Sequence, residues 1–189
     1  MTASLKISGA SRALGPNLLL RLITPGDADY VYALRTNPQY NSYLSKVVGD
    51  VEDQRKWIES YKHREARAQE FYYIIERSDG VRCGVVRLYD LEQEAFTWGS
   101  WILDANKPKK AALESAVLSF CVAFEALALR LARVDVAIQN TRAAKFYERF
   151  GMTEIKRTES QIYFQYSCEQ FYADKQRFMP IIQQGGLDG

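Results

Sequence analysis

Short apolar runs separated by polar, turn-forming residues divide this chain into strands and helices. Residues 18–23 are apolar apart from Arg21, which is the composition of a strand. Thr24, Pro25 and Asp27 then read as a helix start: a threonine cap, a proline that needs no N–H partner in the first turn, and a carboxylate at the positive helix end. This helix is expected to reach about Thr36 and stop before Pro38. A loop rich in Asn and Tyr covers 37–45. Asp50 then caps a second helix that carries Gln54, Trp57, Ile58 and Tyr61 on one face. Strands are predicted at 71–76, 83–89 and 95–103, with a hairpin turn at Ser78, Asp79 and Gly80 and a polar connection over 90–94. A helix over about 110–127 places Leu113, Ala116, Val117, Phe120, Phe124 and Leu127 on one face. Its remaining positions are largely small or apolar, which predicts cover on more than one side. A strand at 134–138, a helix capped by Asn140 and ended at Gly151, and strands at 152–156 and 162–168 complete the pattern.

The order strand, two helices, three strands, helix, strand, helix, two strands predicts an α/β fold, a mixed sheet with helices on its faces. Each helix joining parallel neighbours should make a right-handed crossover. A chain of 189 residues suits one domain with a sizeable core. That domain is expected over 17–168, between a polar lead-in at 1–16 and a polar-aromatic tail at 169–189.

Charge and composition narrow the function. A formal net charge of +2 argues against a non-specific nucleic-acid binder. Cys83, Cys121 and Cys168 lack metal-ligand spacing and read as buried thiols in a reducing cytoplasm. His63, the single histidine, lies in a charged helix and reads as solvated; one histidine argues against a zinc cluster or a Ser-His-Asp triad. The N-terminus has no long apolar segment and no run of about 18 apolar residues occurs, so neither a signal peptide nor a membrane span is expected.

The chemistry concentrates between Trp98 and Gly151. There a strand leads through a basic loop into a helix N-terminus, an arrangement that presents backbone N–H groups to a pyrophosphate. Lys107, Lys109 and Lys110 add positive charge, and small Ala111 and Ala112 allow close approach to the backbone. By itself Asn140 is most simply a helix cap and Tyr147 a half-buried aromatic, with Phe146 and Phe150 in the core.

The run Asn140, Ala143 and Phe146-Tyr147-Glu148-Arg149-Phe150-Gly151-Met152 resembles the second cofactor motif of the GCN5-related N-acetyltransferase superfamily, and the resemblance extends over about 18–168. It implies a twisted mixed sheet of about seven strands, flanked by helices on both faces, with a splayed strand pair at an acyl-CoA cleft. It implies acetyl-CoA, or another short acyl-CoA, as the cofactor, and no metal. Trp101, Ile102 and Leu103 would then lie along the pantetheine arm. Lys107, Lys109, Lys110, Ala111 and Ala112 would meet the pyrophosphate, and Asn140 and Ala143 the cofactor arm. Tyr147 would protonate the leaving thiolate. The loop departs from the family pattern at Lys110, which stands where the first glycine is usual. Its N–H stays available on the expectation that its backbone is helical. No general base is evident: Thr97 occupies the position where many relatives carry Glu, and Glu92 and Glu94 fall in the turn. A water chain would suffice for a weakly basic amine.

On the acceptor side, Arg35, Asn37, Tyr40 and Tyr43 resemble the substrate loop of the ribosomal-protein and amino-sugar branches. The strings RLYD (87–90), FTWGSWI (96–102) and AALESA (111–116) look like those of acetyltransferases from bacterial surface-polysaccharide pathways. Tyr43, Trp98 and Trp101 are then candidates to stack a sugar or base, and Arg35 and Arg87 to pair with phosphates. Core packing for each Trp and a surface charge for each Arg are the plain alternatives. The implied function is N-acetylation of a nucleotide-linked amino sugar by a cytoplasmic enzyme, with no nucleic-acid or membrane partner. The alternatives are a peptide or protein N-terminal acetyltransferase, which would want an acidic groove, and a CoA-binding protein without turnover. Homodimers are common in the related proteins.

Overall fold

A computed structural model describes residues 5–43 and 46–184. The strands are β1 (Lys6–Ser8), β2 (Arg12–Leu14), β3 (Leu18–Leu22), β4 (Phe71–Arg77), β5 (Arg82–Glu92), β6 (Ala95–Leu103), β7 (Leu131–Ala137), β8 (Thr153–Arg157) and β9 (Gln161–Ser167). Among the described residues they form one sheet of nine strands in the order β1-β2-β3-β4-β5-β6-β7-β9-β8. The two strands beyond the expected seven form a hairpin within the polar lead-in, β1 against β2. β6 and β7 are the parallel pair, joined by a helical crossover. The helices are α1 (Ala28–Thr36), α2 (Pro38–Asn41), α3 (Val51–Glu65), α4 (Ala111–Cys121), α5 (Thr141–Phe150) and α6 (Cys168–Gln183).

The local signals act as their chemistry requires. A single 3₁₀ turn, Pro25–Asp27, precedes α1. Asp50 caps α3 by accepting from Glu52 and Asp53 N–H, and Asp53 returns a bond to the Asp50 N–H. Gly151 ends α5 at φ +106°, a conformation that costs glycine little. α4 ends earlier than the apolar periodicity suggests and continues as a π-helical turn, Val122–Ala126. β7 begins at Leu131, before the predicted 134, because the Arg130 and Leu131 N–H groups already bond the Glu94 carbonyl.

The segment expected as a tail is α6. Ser167 caps it, and Cys168, Phe171, Phe178 and Ile182 bury one face. These positions recur at helical spacing, but the polar residues between them conceal the stripe.

Two cores lie on opposite faces of the sheet. One collects Phe96, Trp98, Phe120, Tyr147, Phe150 and Phe171, beneath α4, α5 and α6. The other collects Val31, Ile58, Tyr61, Tyr72 and Val85, beneath α1 and α3. Glu114, fully buried in α4, accepts from the Asn17 and Leu18 N–H groups and from Asn17 Nδ2 at 2.8–3.0 Å, which fastens the start of β3 to α4. The three cysteines are buried thiols, and His63 is exposed on α3. Among the described residues, no helix is long and apolar enough to cross a membrane.

Candidate active site

β6 and β7 pair only from Ala95↔Leu131 to Thr97↔Arg133, and beyond Thr97 the β7-facing edge of β6 has no strand partner among the described residues. A bulge helps to open this gap. Gly99 pairs with Arg87 and Ile102 with Val85, so Ser100 and Trp101 together stand opposite one residue of β5, with Ser100 at φ +47°. The extra residue reverses the alternation. Trp98 and Trp101 therefore face the same side, and Leu103 follows Trp101, while the Ile102 side chain joins the other core. A cavity of about 370 Å³ occupies the gap, with Trp101 and Leu103 on one wall and Ala143 and Phe146 on the other. Asn140 and Ala112 also line it. Asn140 is the cap of α5, accepting from Ala143 N–H at 3.2 Å.

Lys110 is not helical: it has φ +62°, ψ +10°, the left-handed conformation that the missing glycine would adopt readily. Of the amides that follow, Ala111 donates to the Pro108 carbonyl at 3.2 Å, while those of Ala112 and Leu113 have no backbone or side-chain acceptor among the described residues. They are the orphan donors of the α4 N-terminus and sit where the positive end of the helix dipole lies. The lysines around them are partly engaged. Lys107 Nζ donates to the Asp104 carbonyl at 3.2 Å and Lys110 Nζ to the Ile181 carbonyl of α6 at 2.9 Å; Lys109 is exposed, and Ala111 is buried against the core. Arg142, absent from the sequence reading, lines this cavity. It also lines an adjoining one of about 550 Å³ with Arg149, Arg177 and Phe178. Its position two residues after the α5 cap was the available signal.

Tyr147 of α5 does not line the cavity: it is 7% exposed and is held among Trp98, Trp101 and Phe164, with ring centroids 5.7–6.5 Å away. Burial, and then the charge of Asp135 and the neighbouring Tyr89, raise its phenol well above the ordinary range, so it is protonated at neutral pH. Trp98 is core: it is 1% exposed, stacks on Phe120 at 5.3 Å and donates Nε1–H to Ser119 Oγ, all on the α4 side of the sheet. This removes it from the set expected to stack an acceptor.

The other expected residues lie on α1, β5 and the segment after α1, and of these Tyr40 lines the gap cavity itself. Asn37 caps α2, accepting from Gln39 N–H. From this segment Tyr40 accepts from Ala105 N–H at 3.1 Å, and Tyr43 donates to the Gln139 carbonyl at 3.3 Å, so the loop touches both sides of the gap. Arg35 lines a cavity of about 300 Å³ with Gln54 and Trp57. Arg87 is not a spare cation. It is paired with the buried Glu70, which also takes Arg64, and its guanidinium lies between Trp57 and Tyr89 at 5.4 and 4.8 Å. Its Nε and the Tyr72 hydroxyl are buried without a hydrogen-bond partner among the described residues. Glu70, Tyr72 and Tyr89 were missed because strand residues declare neither their partners nor their neighbours.

An unpaired strand edge, two open amides at a helix start, small Ala112 and Ala143, and cations at one end fit an extended, phosphate-bearing thioester. A family model described as an acetyltransferase (GNAT) domain matches residues 17–153, and the chain belongs to that family of N-acetyltransferases. Among solved structures it is similar to apo FdhC, a nucleotide-linked sugar GNAT, with 33% identity, a TM-score of 0.83, and coverage of 94% of this chain and 99% of that one. Two further structures share the fold. The spermidine N-acetyltransferase of Vibrio cholerae, solved with CoA and spermine, has 18% identity and a TM-score of 0.72, covering 82% of this chain and 98% of that one. The ribosomal-protein-S5-alanine acetyltransferase of Vibrio fischeri has 14% identity and a TM-score of 0.71, covering 82% and 94%. No curated protein matches the chain.

Proposed function

We propose that this protein transfers the acetyl group of acetyl-CoA to the amine of a nucleotide-linked amino sugar, as a cytoplasmic step in making surface polysaccharide. The observation that carries the reading is the likeness to a nucleotide-linked sugar GNAT over nearly the whole of both chains, which spans α6 as well as the matched domain. The acceptor face supports it. Arg35, Gln54 and Trp57 line a cavity there, and the orphaned Tyr72 hydroxyl and Arg87 Nε are polar groups beside the same aromatic wall. A peptide acceptor with a free N-terminus would favour an acidic groove, and this lining carries Arg35 and Lys46 against Asp53.

Bound acetyl-CoA would supply the acyl group and a thiolate leaving group. Trp101 and Leu103 would line the pantetheine arm, the Ala112 and Leu113 amides would hold the pyrophosphate, and Arg142 would add charge beside the adenosine end. Tyr147 would give the sulfur its proton. The test is thiol release from acetyl-CoA with UDP- and dTDP-linked amino sugars, spermidine and an alanine-terminated peptide. The expected result is a kcat/KM at least about 10²-fold higher for one nucleotide sugar. Preference for the polyamine or the peptide overturns the acceptor assignment, and no binding of acetyl-CoA at millimolar concentration overturns the enzyme reading.

A further inference from the structure

We propose that Asp135 of β7, working with the Tyr89 hydroxyl of β5, takes the proton from the acceptor ammonium at the mouth of the β6–β7 gap. This rests on the amine-acetylation reading above and supplies the base that the sequence did not reveal. The register sets the geometry. Tyr89 pairs with Thr97 and Thr97 with Arg133, so these three residues stand side by side on one face. Asp135 lies two residues beyond Arg133 on that same exposed face, in the part of β7 that has left β6. Gly99 lies two residues beyond Thr97, and the Tyr89 ring leans over it: a Cβ at 99 would stand 3.0 Å from the Tyr89 hydroxyl and 3.2 Å from Cε1. Tyr89 Oη, leaning from β5 over Gly99 of β6, and Asp135 of β7 thus stand at the same level on either side of the gap.

The other carboxylates on this face are engaged. Glu92 pairs with Arg133 at 3.7 Å, Glu94 with Arg130 at 4.0 Å, and Glu70 with Arg64 and Arg87. Asp90 is 3.5 Å from Thr97 Oγ1. Asp135 has no ion pair among the described residues. Its charge reaches both phenols. Burial first and Asp135 second raise Tyr89, as they raise Tyr147. The titratable groups facing Asp135 are Arg87 and Tyr89 from β5, Arg133 on β7, Tyr147 from α5, and Tyr163 opposite it on β9, whose ring carries Lys156 Nζ at 5.7 Å.

In the reaction, the Asp135 carboxylate receives one proton from the ammonium and releases it to water. The freed lone pair forms the C–N bond as the C–S bond breaks. Tyr147 protonates the sulfur, and the second proton leaving nitrogen passes through the Tyr89 hydroxyl to restore the Tyr147 phenol. The acetyl group moves from sulfur to nitrogen, a thiol forms, and one proton goes to solvent.

The experiment measures kcat/KM against pH for the whole protein with acetyl-CoA and the best acceptor of the amine panel. Asp135→Asn is expected to lose about 10²-fold at pH 7. The loss should shrink as pH approaches the acceptor's own pKa, where free amine needs no base. Asp135→Glu should restore part of the rate and Tyr89→Phe should fall between. Asp90→Asn is the control and should keep the wild-type profile. A loss that is uniform across pH, or a profile altered by Asp90→Asn and not by Asp135→Asn, overturns the proposal. A second readout needs no acceptor: the phenol titrations of Tyr89 and Tyr147, followed by ¹³C-tyrosine resonances assigned with the Phe variants. Asp135→Asn should bring both to lower pH. If both stay in place, Asp135 does not face them and the proposal fails; moved phenols with a silent panel defeat only the choice of acceptor.

Discussion

Lys110 holds a left-handed backbone, φ +62°, at the start of α4, where most L-residues are strained. Its side chain is anchored on the Ile181 carbonyl, so the strain is partly offset by a tie to α6. Lys110→Gly removes the strain and the tie together. The expected outcome is a gain of up to about 1 kcal/mol, read as a higher urea midpoint at unchanged m. Acetyl-CoA affinity should persist, because the Ala112 and Leu113 amides remain. Tyr147 makes the sharper chemical claim. The Phe variant keeps the ring among Trp98, Trp101 and Phe164 and deletes only the donor. It should lower kcat about 10²-fold, with the melting temperature and acetyl-CoA affinity nearly unchanged. An unaltered kcat, with chemistry shown to be rate-limiting, would make Tyr147 a packing residue. Both positions were legible by motif. The conformation of Lys110 was not, because a lysine carries no signal for positive φ.

Among the elements, the turn leading into α1 depends most clearly on acid. Burial pushes Asp27 up, but the two bonds from Arg21 and the Thr24 N–H outweigh it and hold its carboxyl at about 2. A folded-state value below the unfolded one means that this contribution is complete above about pH 4 and is lost as pH falls through about 2. Arg21 is partly exposed, which screens the pair. The expected loss across that window is about 1–2 kcal/mol, and it should be absent in Asp27→Asn when urea unfolding is followed against pH. Thr24, Pro25 and Asp27 announced this turn from the sequence, whereas Arg21 as the partner required β3 to be set beside it. α6 shows the converse. Its apolar stripe was present in the sequence, yet a polar-aromatic segment reads as a helix only once α4 and β9 supply a face to bury it against.

For the whole molecule, the gap joins β6, α4 and α5, which different parts of the chain supply. A ligand that touches all of them binds only the assembled fold. Acetyl-CoA at about 100 times its dissociation constant should therefore add about 2.7 kcal/mol to unfolding, measured by chemical denaturation with and without it. Free coenzyme A should do much of the same, and removal of Arg142 should weaken coenzyme A more than its dephospho form if that arginine meets the 3′-phosphate. The sequence alone determined the alternation of elements, the caps at Asp50 and Asn140, the stop at Gly151 and the family, because caps, periodicity and a contiguous motif are local properties. Only the tertiary structure decided where β6 parts from β7, that a bulge at Ser100 and Trp101 reverses which side chains face the cleft, that Trp98 is core, and that Arg87 belongs to Glu70. Those outcomes depend on register and on contacts between residues far apart in the chain. A shift of one residue exchanges the two faces of a strand without changing its composition.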